Sequence, residues 1–220
     1  MATPEYHERE KKTAGVVAGG SIAEAIAGLG AVVLAILGLA GVLPVTFAAI
    51  ATIAVGAALF LQGGSLMARY RNLMDRMGNR SLELAEIGGG TSVEFIGGLG
   101  GIALGILALL GVESSILLPV AVIMFGTVLL IGAGLVSGLS RARVATSGET
   151  ATVQHTAEEA INAAAGMEVF IGVGAIVVGI LALIGIAPLT LTLVGLLASG
   201  AAVFFSGTSV GTHMAGVFAH

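Results

Sequence analysis

The sequence predicts an all-α, polytopic membrane bundle of six transmembrane helices, formed by three tandem helical hairpins about a pseudo-threefold axis along the membrane normal. Three observations predict it. The 220-residue chain is 56% hydrophobic and only 10% charged, with a mean hydropathy of +1.06, whereas a soluble domain carries about 25% charged residues to keep its surface wet. The charges are confined, leaving Ala25–Ala68, Phe95–Val112, Ser114–Ser140 and Val169–Thr212 without any. And one segment recurs three times, at a period of about 70 residues.

A span needs about 20 apolar residues. The first and last charge-free stretches each hold two spans and a turn, and the middle pair is broken only by Glu113. The expected helices run near 21–42, 46–68, 91–112, 116–139, 165–186 and 189–212. Gly41 followed by Pro44, and Gly185 followed by Pro188, read as a helix-terminating Gly and a Pro that cannot continue the helix; Gly111 holds the same place in the middle hairpin. The whole chain reads as one membrane domain, with repeats near 15–68, 88–140 and 157–214 and cytoplasmic loops near 69–87 and 141–156. In the first loop, Leu and Met among Arg and Glu predict an extension of the second helix and a short interfacial helix. Thr156 to Glu159 fits a capping box, which starts the fifth helix near 157, while Gly88-Gly89-Gly90 argues against such an extension of the third.

All nine Lys and Arg fall on one side: Arg9, Lys11, Lys12, Arg69, Arg71, Arg76, Arg80, Arg141 and Arg143. The positive-inside rule therefore puts both termini and both loops in the cytoplasm, in a multi-pass inner-membrane protein. The largely polar first 20 residues show no secretory signal pattern.

The repeat carries the chemistry. The segments IAEAIAGLGAVVLAILGLAG, SVEFIGGLGGIALGILALLG and GMEVFIGVGAIVVGILALIG align on Glu24, Glu94 and Glu168. Steps of −4, +4, +7, +11 and +14 from each Glu trace one helix face. They give Gly20, Gly28, Ala31, Ala35 and Gly38; then Gly90, Gly98, Gly101, Gly105 and Ala108; then Ala164, Gly172, Ala175, Gly179 and Ala182. Every one is Gly or Ala, the seam along which membrane helices approach closely. Gly56, Gly126 and Gly200 recur at one place in the second helix of each hairpin. Each Glu lies about 25 Å from its turn at 1.5 Å per residue, near the cytoplasmic edge of the hydrocarbon. At that level the antiparallel partner presents Gln62, Gly63 and Ser65 in the first hairpin, Gly132, Gly134 and Ser137 in the second, and Ser206, Thr208 and Ser209 in the third.

Hairpins of the type GIALGILALLG, a turn, then MFGTVLLIGAGLVSG resemble the HdeD-like acid-resistance membrane proteins. That family has six helices made from a short repeated hairpin rich in Gly. The resemblance implies an inner-membrane, stress-associated role without a defined reaction, and no functional residue is carried over from it.

Two functional readings follow. In the first, Glu24, Glu94 and Glu168 bind or pass protons or a small cation, because clustered carboxylates cannot all stay ionised without sharing protons or binding a cation. In the second, the chain is a structural module that self-assembles or joins a larger membrane complex. Each Glu then ties down a helix start through the free N–H groups and the dipole. A metal role for His213 lacks a supporting motif; His7 and His155 read as solvated. With no Cys, no P-loop, no Ser-His-Asp set and a net charge of −4, no enzyme activity, cofactor or nucleic-acid partner is expected. The partners expected are the lipid bilayer and a second copy or larger complex.

Overall fold

In the computed structural model of the chain, the backbone is described for residues 4–77, 81–144 and 151–218, and the side chains for 22–64, 93–133 and 166–208. Among the described residues six α-helices follow one another: α1 Pro4–Leu39, α2 Pro44–Met77, α3 Ser81–Leu109, α4 Ser114–Val144, α5 Ala151–Leu183 and α6 Pro188–Phe218. No strand occurs among the described residues. Among the described residues, five of the helices hold a stretch long and apolar enough to cross a bilayer: Ile22–Leu39, Pro44–Gly64, Ser114–Ala133, Gly166–Leu183 and Pro188–Thr208. The corresponding apolar stretch of α3, Val93–Leu109, is shorter. The chain is built as a multi-pass integral membrane protein.

The helices extend beyond the predicted spans. α3 runs through Gly88, Gly89 and Gly90 from Ser81, and α5 begins at Ala151, so Thr156 is a helix-interior residue and not a cap. Once a helix is nucleated, each further residue adds a hydrogen bond. Leu, Glu and Ala around these positions are strong helix formers. That offsets the Gly penalty of about 1 kcal/mol per residue. α2 likewise carries on to Met77, as the Leu and Met content of that region predicts.

The three tight turns share one backbone solution. Gly41, Gly111 and Gly185 take φ of +87°, +84° and +91°. In the first, the Gly41 N–H donates to the Gly38 carbonyl and the Val42 N–H to Leu37, closing the helix with the paired bonds of a Schellman motif. The same pair joins Gly111 to Ala108 and Val112 to Leu107, and Gly185 to Ala182 and Ile186 to Leu181. Pro44 and Pro188 then open α2 and α6, where a missing N–H costs nothing. In the middle turn Ser114 opens α4 instead, and the Glu113 carbonyl accepts from Ile116 and Leu117. The end of the bundle carrying these turns is the turn end; the opposite one is the loop end.

α2, α4 and α6 touch one another at the centre, while α1 lies against α6 and α2, α3 against α2 and α4, and α5 against α4 and α6. Among the described residues the outer helices α1, α3 and α5 do not meet. Their outward rows, such as Ile22, Ile26, Leu29, Val33 and Ile36, are exposed and await lipid. The small-residue stripe faces inward. Of its fifteen positions, the twelve whose side chains or Cα are described are all buried, whereas Gly20, Gly90 and Ala164 lie outside the described side chains.

The stripe meets the helix of the neighbouring hairpin, backbone to backbone. A Cβ on Gly98 would collide with the Phe60 amide and stand 2.6 Å from the Gly56 carbonyl oxygen; a Cβ on Gly56 would stand 2.8 Å from the Gly98 oxygen. Gly172 and Gly126 form the same reciprocal contact between α5 and α4, and Gly28 and Gly200 between α1 and α6. Lipid tails are as apolar as Leu, so close van der Waals contact must supply the association.

Substituting Gly98 by Ala is therefore expected to cost about 1–3 kcal/mol through overpacking. Gly30 has nothing within 4 Å of its would-be Cβ, so Gly30→Ala should be neutral or stabilise by up to about 1 kcal/mol. Thermal unfolding of the detergent-solubilised variants reads the difference, and the reverse order would contradict the seam.

Candidate functional site

Each Glu is four residues before the Gly of its crossing: Glu24 before Gly28, Glu94 before Gly98, Glu168 before Gly172. One turn of helix separates them, so the contact that brings the backbones together also turns the carboxyl side chains toward the bundle. Glu24 is 5% and Glu94 6% exposed, and Glu168 is half-buried. All three stand more than three turns inside their helices, which start at Pro4, Ser81 and Ala151. The helix-start explanation fails on this point, because dipole and free N–H effects are confined to the first turn.

Glu24 finds its partner on α6. Its side chain is hydrogen-bonded with Ser206, and the Gln62 Nε2 donates to the Ser206 Oγ at 3.1 Å. This departs from the expectation that each Glu would meet its own hairpin's second helix, which for Glu24 is α2. The reason is the closing of the ring, since α1 packs against α6 across the Gly28–Gly200 crossing. Gln62 reaches the cluster through Ser206, and so ties α2 to α6. Glu94 does lie against its own hairpin: a Cβ at Gly132 would be 2.8 Å from Glu94 Oε1, so the missing side chain is the room the carboxyl occupies. Each Glu stands 17 residues before the Gly that ends its helix, Gly41, Gly111 or Gly185. The fold thus gathers all three carboxyls at one level of the bundle.

Their hydrogen bonding is incomplete. Glu24 Oε1 and Glu94 Oε2 are buried with no partner. A buried polar atom without a partner costs about 1–3 kcal/mol, more if charged. Such an oxygen is completed by a proton shared with a neighbour, by water or by a cation. Among the described residues no three His, Asp or Glu side chains converge closely enough to hold a metal ion. His213, Ser65, Ser137 and Ser209 lie outside the described side chains. Thr208 donates to the Phe205 carbonyl of its own helix at 3.0 Å.

The seams differ in how they are filled beside the carboxyls. Next to Glu94, the rings of Phe95 and Phe60 meet across α3 and α2, their centroids 4.4 Å apart and their planes tilted by 34°. Next to Glu24 the matching pair is Ala25 and Phe204, and the small Ala leaves a groove of about 310 Å³, with Ile22, Leu29 and Gly207 in its walls. Three inner-face hydroxyls escaped the sequence reading: Ser199, Thr52 and Thr192, all buried. A polar residue recurring every seven positions along α6 was the available signal.

Ser206→Ala removes the shared partner of Gln62 and Glu24 and is expected to lower stability by about 1–3 kcal/mol. A double-mutant cycle with Gln62→Ala should show coupling of at least about 0.5 kcal/mol; additive losses would contradict the bond. No protein-family model, curated protein or solved structure matches this chain.

Proposed function

We propose that this multi-pass membrane protein takes up and releases protons at Glu24, Glu94 and Glu168. The observation that carries the reading is the pair of unpartnered oxygens, on two carboxyls each more than nine-tenths buried, in the apolar stretches Ile22–Leu39 and Val93–Leu109. An ionisable group at such a place is expensive to keep and belongs to a function by default. Protons fit better than a metal cation. Ca²⁺ and Mg²⁺ collect about six or more oxygens, whereas this cluster offers separate carboxyls, one of them already bonded to a hydroxyl.

The rest of the reading follows the repeat. The recurring Gly crossings and turns support a bundle of three equivalent hairpins about a pseudo-threefold axis, with six spans, α3 being completed by residues before Val93. The nine basic residues support a cytoplasmic loop end, so the carboxyls sample cytoplasmic pH. The resemblance to the HdeD-like acid-resistance proteins supports a stress-associated setting, in which proton binding is the natural input. The competing reading, a structural module that self-assembles or joins a larger membrane complex, takes the Gly/Ala stripes as packing surfaces only; the buried, unpartnered carboxyl oxygens favour proton binding over it.

The test uses the purified protein in liposomes and a membrane-soluble carbodiimide, which modifies protonated carboxyls. Mass spectrometry should find label on Glu24 and Glu94, with a yield that varies with pH, and Gln at all three positions should remove it. Absence of pH-dependent label on these residues in folded protein would overturn the proposal.

A further inference from the structure

We infer that the carboxyl cluster is linked to the turn end of the bundle by a line of buried hydroxyls on the inner faces of α6 and α2, interrupted by one apolar layer, so that protons cross the bundle only when that layer admits water. The inference rests on the proton-binding reading and adds a route and a gate to it.

The inner face of α6 is fixed by its glycines. Gly195 meets Val122 of α4 and Val178 of α5, whereas Gly200 meets Ala31 of α1. Thr192, Leu196, Ser199, Val203 and Ser206 run between these two lines at steps of four and three, on the side turned to α2 and α4. α2 and α6 both start at a turn Pro and run parallel, so equal offsets from Pro44 and Pro188 mark equal depth. The hydrogen bond between Gln62 and Ser206, which share one offset, calibrates this scale.

On it, the hydroxyls fall in order from the turn end: Thr192, Thr52, Ser199, then Ser206 beside Glu24. At the turn end a cavity of about 110 Å³ opens between the starts of α2, α4 and α6, with Val45, Ser114, Ser115 and Pro119 in its wall and Leu118 and Thr192 at its buried side. Pro119 has no N–H, so the Ser115 carbonyl lacks its i+4 donor, another acceptor in the cavity wall. Thr192 and Thr52 donate to the Pro188 and Ala48 carbonyls and keep lone pairs free to accept. Ser199 is fully buried and its Oγ has no partner at all. A hydroxyl left so in an apolar core is costly, and water is what completes such a group.

Between Ser199 and Ser206 lie two helical turns, about 10 Å. That is three or so hydrogen-bond lengths of about 2.8 Å, too far for one hydroxyl to reach the other. Leu59, Leu129 and Val203 fill this level and are 0%, 6% and 1% exposed. Apolar constrictions of this kind close by excluding water. When two or three waters enter, each accepts a proton on one side and gives one up on the other, so no co-reactant is consumed.

The experiment is proton flux into liposomes carrying an internal pH dye, driven by a potassium gradient with valinomycin. Val203→Thr keeps the shape and adds a hydroxyl in the dry layer; Leu59→Asn is the second variant. Either is expected to raise flux about tenfold, ~1.4 kcal/mol off the barrier. Adding Ser199→Ala, or Gln at all three Glu positions, should return flux to the wild-type level. Unchanged flux in both layer variants, with far-ultraviolet circular dichroism confirming helical protein, overturns the path. Carbodiimide labelling decides the rest: label that persists without flux leaves proton binding standing and removes only the route, whereas label absent together with flux overturns the binding reading.

Discussion

Close approach of backbones at the glycine crossings governs this molecule. In lipid, two apolar helices gain nothing by hiding side chains from water, so association depends on how near they can come. At Gly98 and Gly56 neither helix has a Cβ, and each leans on the other's carbonyl. The same contact joins α5 to α4 and α1 to α6. It is made between neighbouring hairpins, not within one, so each hairpin is held by the next and the last is held by the first. A ring closed in this way has no free helix edge, and its centre is filled by α2, α4 and α6.

The placement of the carboxyls is a consequence of that contact. A residue one turn before a tight crossing has little choice of direction, and Glu24 and Glu94 are carried out of the lipid into the bundle. There the surroundings are small: Gly132 leaves room, and Ser206 and Gln62 supply one connected set of polar groups. The two unpartnered oxygens are the counterpart of this packing. Natural cores hold few such atoms, and here two of them belong to the same cluster. Toward the turn end, the core changes character within two turns, from the polar level of Gln62 and Ser206 to the apolar level of Leu59, Leu129 and Val203. That sharp boundary separates the level of the carboxyls from an apolar core that holds the helices together.

Much of this was legible in the chain. The charge-free stretches marked the helices, and Gly41, Gly111 and Gly185 marked where they stop, because left-handed φ is cheap only for Gly. The Gly/Ala stripe was found by helical period alone, and each of its described positions is buried. Local rules failed where they were asked to stop a helix at the loop end. Gly88–Gly90 did not break α3 and Thr156 did not cap α5, since both lie inside long helices whose propagation outweighs one weak signal. Gln62 and Ser206 stood out as polar residues at the depth of Glu24, but the bond that joins Glu24 to Ser206 on α6 was not legible. Ser199, Thr52 and Thr192 went unnoticed because a hydroxyl in an apolar run has no meaning until its neighbours are known.

The sequence by itself determined the membrane setting, the helix ends at the turns, and the face of each outer helix that carries a Glu. These depend on transfer from water to lipid and on backbone geometry within a few residues. Only the tertiary structure decided that Glu24 answers to Ser206 across the ring, that two carboxyl oxygens stay unpartnered, and that a buried apolar layer lies beneath them. Those facts depend on which helix stands beside which, and the closing contact joins residues nearly a whole chain apart.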